Sequence, residues 1–82
     1  MRVCDVEVSG KDGQTHSLTV KEESLFSAAA IAISEWSRLW WWPAGDPILT
    51  IRSGNDEWRV RSQRVVDWEF RRRNAERQRE KA

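Results

Sequence analysis

Residues 24–42, SLFSAAAIAISEWSRLWWW, are the only long stretch with a helical apolar period, and the rest of the chain has to be fitted around them. Advancing by about 100° per residue from Leu25, Leu25, Ala29, Ala32, Trp36 and Leu39 fall on one narrow stripe. Ala28 flanks that stripe on one side and Phe26, Ile33 and Trp40 on the other, while Ser27, Ser34, Ser37 and Arg38 lie opposite. This predicts a helix over 24–42 with a single buried face, and the small residues Ala28, Ala29 and Ala32 let its axis come close to a sheet. Ser24 suits the N-cap, since its hydroxyl accepts from an otherwise unpaired backbone N–H, and Glu22 and Glu23 suit the positive end of the helix dipole. Pro43 sets the far limit, because the residue before a proline disfavours the α region.

The run Trp40-Trp41-Trp42 is the least ordinary part of this stretch. On a continued helix its three side chains point about 100° apart and cannot all enter one core. Trp40 then falls on the buried flank and Trp41 on the polar side. Two readings stand: indoles that wrap the edge of the core as the helix frays, or an aromatic anchor for a partner, for which tryptophan is well suited. Either way at least one indole is expected at the surface.

The flanking segments read as strands. Cys4, Val6 and Val8 alternate with Val3, Asp5, Glu7 and Ser9, the period of a half-buried strand. After the turn residues Gly10-Lys11-Asp12-Gly13-Gln14, His16, Leu18 and Val20 alternate with Ser17, Thr19 and Lys21, which predicts an antiparallel hairpin. Beyond the helix, residues 42–47 (WPAGDP) form a loop, and Ile48-Leu49-Thr50-Ile51 is a short apolar strand. Ser53-Gly54-Asn55-Asp56 is a second turn, and Trp58, Val60 and Ser62 alternate with Glu57, Arg59 and Arg61. From Gln63 the period becomes helical, with Val65, Val66, Trp68 and Phe70 on a broad apolar side. After Phe70 no large apolar residue remains, and Asp67–Arg71 and Glu69–Arg73 are spaced as favourable helical ion pairs.

The expected fold is therefore α+β: a four-stranded, mostly antiparallel, β-grasp-like sheet (ββαββ) with one helix packed across it. Residues 1–70 form the single domain and residues 71–82 a short, charged, Arg-rich helical tail. The first and last strands are candidates for a central parallel pair, as in ubiquitin-like folds, and open edges leave room for pairing with a second copy.

The pattern VEVSGKDGQTHSLTV, followed by ESLFSAAAIAI and later VRSQRVVDW, resembles a class of small uncharacterised bacterial proteins. These share a hairpin with a central histidine, a Ser-Leu-aromatic helix start, an Ala-rich helix and a terminal tryptophan. The matching positions are His16, Ser24, Leu25, Phe26, Ala28, Ala29 and Trp68, across most of residues 3–70. The resemblance implies the architecture and no activity. The Trp40–Trp42 run and the tail from Arg71 lie outside it.

Eighty-two residues supply one core, and six tryptophans offset an apolar fraction of 39%. A single cysteine, Cys4, excludes an internal disulfide and a thiolate metal site, and in its strand it reads as a buried thiol. The first ten residues include Asp5 and Glu7 and lack the apolar core of a secretory signal. No stretch reaches the roughly 18 apolar residues of a membrane span, so the expected location is the cytoplasm. No phosphate-binding glycine loop, metal-ligand cluster or nucleophile–base pair is spaced in the sequence, which predicts no catalysis, no cofactor and no metal. His16, the only histidine, shares a face with Leu18 and Val20 and reads as structural.

Net charge is +1 but unevenly placed: residues 71–82 carry six basic and two acidic side chains, and the first seventy carry eight basic and eleven acidic. Arg59, Arg61, Arg71, Arg72 and Arg73, with Trp58 and Trp68 near them in sequence, hold the ingredients of a nucleic-acid contact. A solvated, ion-paired helix is the competing reading. The expected function is a small non-enzymatic protein-binding module: an adaptor, inhibitor or accessory subunit of a larger bacterial protein or nucleoprotein machine, defence machinery included. Its candidate contact residues are Trp40, Trp41, Trp42, Arg59, Arg61 and Arg71–Arg73. The alternatives are nucleic-acid binding through the Arg-rich helix and a structural homodimer.

Overall fold

Alternation in the two N-terminal segments produces the expected hairpin. In the computed structural model, which describes the backbone of residues 1–81 and side chains through Ala75, strand β1 (Arg2–Ser9) pairs antiparallel with β2 (Thr15–Glu22), from Arg2 opposite Glu22 to Ser9 opposite Thr15. Helix α1 (Leu25–Trp36) follows, then β3 (Ile48–Ser53), β4 (Asp56–Arg61) and helix α2 (Ser62–Lys81). The β3–β4 loop has two residues, and Gly54, with φ +61°, stands at the first of them, where a II′ hairpin loop takes glycine.

The sheet order is β2-β1-β3-β4, with every neighbouring pair antiparallel. The parallel β1–β4 pairing of ubiquitin-like sheets is not what this chain adopts: β3 takes the place beside β1, with Val6 opposite Ile51. Because β2 and β3 both run against β1 and flank it, they run parallel to each other, and their connection must cross over β1. That crossover is α1, which lies on β1, β2 and β3, while α2 turns straight out of β4 and packs against α1.

One face of the sheet holds the core. Cys4, Val6 and Val8 of β1, Leu49 and Ile51 of β3, and Val65 of α2 are buried against Ala28, Ala29, Ala32 and Trp36 of α1. Each large aliphatic buried there contributes roughly 1.5–3 kcal/mol relative to exposure. The three alanines are fully buried and let α1 sit close to the strands. Ser24 caps α1 as expected, its hydroxyl accepting from the Ser27 N–H at 3.1 Å.

The opposite face is polar. Thr19 donates to Asp5 at 2.6 Å, and Arg52 bridges Glu57, at 2.8 Å, and Glu7. The hydrogen bond to Glu57 and the charge of Glu7 push the Arg52 guanidinium further above its ordinary value, outweighing desolvation.

Two expectations about the helices change. α1 ends at Trp36, not at Trp42, with Ser37 as its C-cap. α2 begins at Ser62 and is a single helix of 20 residues, so the expected boundary between body and tail at residue 70 falls inside one element. Of its apolar side chains Val65 is buried and Trp68 half-buried, whereas Val66 and Phe70 are exposed. Glu69 pairs with Arg73 as expected, at 3.2 Å, and with Arg72 at 3.3 Å. Asp67 instead accepts from the Gln63 amide at 3.0 Å, and Arg71 donates to the Asp67 backbone carbonyl at 3.4 Å.

Candidate functional site

The tryptophan run sits at the corner where α1 leaves the sheet. After Trp36 the chain tightens: Ser37 still donates to the Ile33 carbonyl, but Leu39 donates to Trp36 and Trp42 to Leu39, two successive three-residue steps. This changes the direction of each side chain relative to a continued α-helix. Trp41 swings inward to 7% exposure and Trp40 outward to 72%, the reverse of the helical expectation for both. Leu39, expected in the buried stripe, is 43% exposed beside Trp40 in the chain, and Trp42 is half-buried.

The physical reason is a stack that lies beyond the reach of helical periodicity. The Trp41 indole lies flat on the His16 imidazole, centroids 3.5 Å apart and planes 3° from parallel. Trp36 meets Trp41 edge-on at 5.8 Å, and Trp42 lies 6.4 Å from Trp41. Continuing α1 through Trp42 would gain at most about 0.7 kcal/mol per residue in propensity. Burying an indole gains roughly 2–3 kcal/mol or more. The stack wins.

The hairpin turn completes the lock. Lys11 donates its backbone N–H to the Trp41 carbonyl at 2.9 Å. Asp12 accepts from the Gln14 N–H at 3.1 Å and lies 3.1 Å from His16 Nε2. Burial works against the Asp12 carboxylate, yet the Gln14 N–H and the His16 ring outweigh it and hold its pKa below the ordinary 3.8. Gly10 is a point of close approach: a Cβ there would sit 3.1 Å from the His16 ring and would force the Asp12 carboxylate to shift. His16 is thus a packing and bridging residue, and Asp12 is its only side-chain hydrogen-bond partner among the described residues. Also among the described residues, no three His, Cys, Asp or Glu side chains converge to hold a metal ion.

The basic candidates separate. Arg59 and Arg61 alternate with Trp58 and Val60 and so lie on the polar face, with Arg61 4.0 Å from Asp46. Arg71, Arg72 and Arg73 belong to α2, which packs on the core face. Arg72 lies over the Trp68 ring at 5.2 Å, and Trp68 in turn stacks on Phe26 of α1 at 5.5 Å. The five arginines therefore do not form one surface.

Asp46 lies in a turn-rich loop, where the sequence carries no helix-cap signal for α2. It accepts from Ser62 Oγ at 3.0 Å and from the Gln63 N–H at 2.8 Å, capping α2 from a loop 16 residues upstream. A groove of about 630 Å³ between the helices is lined by the apolar Ala30, Ile31, Val66 and Phe70 and by charged side chains that include Glu35, Glu69 and Arg73. No helix among the described residues is long and apolar enough to cross a membrane.

Comparison with protein-family models, with curated proteins and with solved structures finds no match to this chain.

Proposed function

We propose that this chain is a small protein-binding module, an adaptor, inhibitor or accessory subunit of a larger protein, with Trp40 as its anchor. One observation carries the reading. Trp40 is 72% exposed at a corner whose neighbours on both sides are tied down, Leu39 by its hydrogen bond to Trp36 and Trp41 by the His16 stack. A large apolar side chain held outward on an ordered support loses little freedom when it enters a partner's pocket. The occupant this chemistry fits is a folded protein with an apolar pocket wide enough for an indole.

The test is affinity capture from host lysate with the wild-type chain and with Trp40→Ala, at low and high salt, with and without nuclease, followed by titration of the purified partner. The expected result is a protein that survives salt and nuclease and is lost with Trp40→Ala. Recovery of nucleic acid alone, lost at high salt and lost with Arg71, Arg72 and Arg73 replaced by alanine, would transfer the function to α2. That reading would use Arg71, Arg72 and Arg73, which stand exposed on α2 with Glu69 paired to two of them.

A further inference from the structure

The two edges of the sheet are built differently. β4 carries charges at Asp56, Glu57, Arg59 and Arg61, four of its six residues, and runs without a break into α2. Charged side chains are one way that proteins guard an edge against further pairing. β2 has this guard only at its far end. It is eight residues long, contains no proline, and pairs one-to-one with β1 along its whole length without a bulge. Its charges, Lys21 and Glu22, are confined to one end. Alternate N–H and C=O groups of such a strand point away from the sheet. Among the described residues none of them finds a backbone partner outside it.

We propose that β2 pairs with β2 of a second copy of this chain, antiparallel about a two-fold axis at Leu18, joining two four-stranded sheets into one of eight strands. The sequence of the edge complements itself in that register. Leu18 faces Leu18, His16 faces Val20, Ser17 faces Thr19 and Thr15 faces Lys21, so no like charges oppose. Residues of the core side meet residues of the core side, and hydroxyls meet hydroxyls on the polar face. Leu18 and Val20 point to the core side yet remain only half-buried in a single copy, because nothing continues the layer beyond them. Moved one pair along, the register would set the Glu22 carboxylate opposite the His16 ring that Asp12 already occupies. With the axis perpendicular to the sheet, both helical layers fall on one side and both polar faces on the other.

The experiment uses the full chain in sedimentation velocity over a concentration series, with two double variants on the polar face, where side chains do not enter the core. Ser17→Lys with Thr19→Lys opposes lysines twice across the two-fold, and Ser17→Glu with Thr19→Glu opposes glutamates. The wild type is expected to dimerise, and each variant, folded by circular dichroism, to show a dissociation constant raised by at least about tenfold. Mixing the two variants is expected to restore a one-to-one heterodimer. Trp40→Ala is expected to dimerise as the wild type does, which separates this surface from the Trp40 corner. A wild-type chain that remains monomeric into the millimolar range overturns the proposal. So does a dimer that both charged variants retain, a mixture that does not associate, or a dimer lost with Trp40→Ala.

Discussion

Trp40 and Trp41 are adjacent and chemically identical, and their environments set them to opposite tasks. Trp41 lies between the His16 ring and the edge of Trp36. Trp41→Ala should therefore behave as a core truncation and cost about 3–5 kcal/mol, like Trp36→Ala. Trp40→Ala should change stability by no more than about 0.5 kcal/mol. Denaturant unfolding of the three variants checks the assignment, and equal losses at Trp40 and Trp41 would contradict it. Asp12 adds a dependence on pH. Its folded pKa is depressed, so its contribution is complete above the ordinary value of 3.8 and is lost as pH falls through the lowered folded value. Asp12→Asn should abolish that part of the acid dependence, read from melting temperatures across the carboxylate range. An unchanged acid profile in the variant would mean that Asp12 does not stabilise the turn.

Within single elements the residue pattern is informative, and between elements it is not. The alternation of β1 marks Cys4, Val6 and Val8 as one buried face, and the 100° stripe marks Ala29, Ala32 and Trp36 of α1, all of which are buried. Alternation states which way a side chain faces but not which strand lies beside it, so the order β2-β1-β3-β4 is not readable from it. The end of α1 is not readable either, because His16, twenty residues before Trp36, decides it through the Trp41 stack. The cap of α2 fails to show for the same reason: helix-start signals are sought beside the helix, and Asp46 reaches Ser62 and Gln63 across a strand pair. The carboxylate there satisfies an N–H of the first turn and suits the positive end of the helix. Asp46→Ala should cost about 0.5–2 kcal/mol, and Asp46→Asn much less. Chemical denaturation distinguishes them, and an unaffected Asp46→Ala variant would show that Ser62 caps α2 unaided.

Over the whole molecule the distribution of burial along α2 decides what its charged half does. The helix is attached by its first turns, where Ser62 and Val65 are buried, and by Trp68, which stacks on Phe26. Phe70, at 64% exposed, already faces outward, and Arg71, Arg72 and Arg73 are exposed with Glu69 as the only carboxylate paired to them among the described residues. Exposed pairs of this kind contribute about 0–1 kcal/mol each. Deleting residues 74–82 should therefore leave the melting temperature close to that of the full chain. Deleting from Val65 onward removes a fully buried side chain and the Trp68 ring that stacks on Phe26, and should abolish cooperative unfolding. The shorter deletion also separates the functional readings, since it removes Arg77, Arg79 and Lys81 while leaving the Trp40 corner and the β2 edge intact. Partner capture and dimerisation should persist in that variant, and any binding of nucleic acid should weaken and lose part of its salt dependence. Loss of partner capture in a truncated chain of unchanged melting temperature would place the docking surface on α2 and displace Trp40 from the role proposed for it.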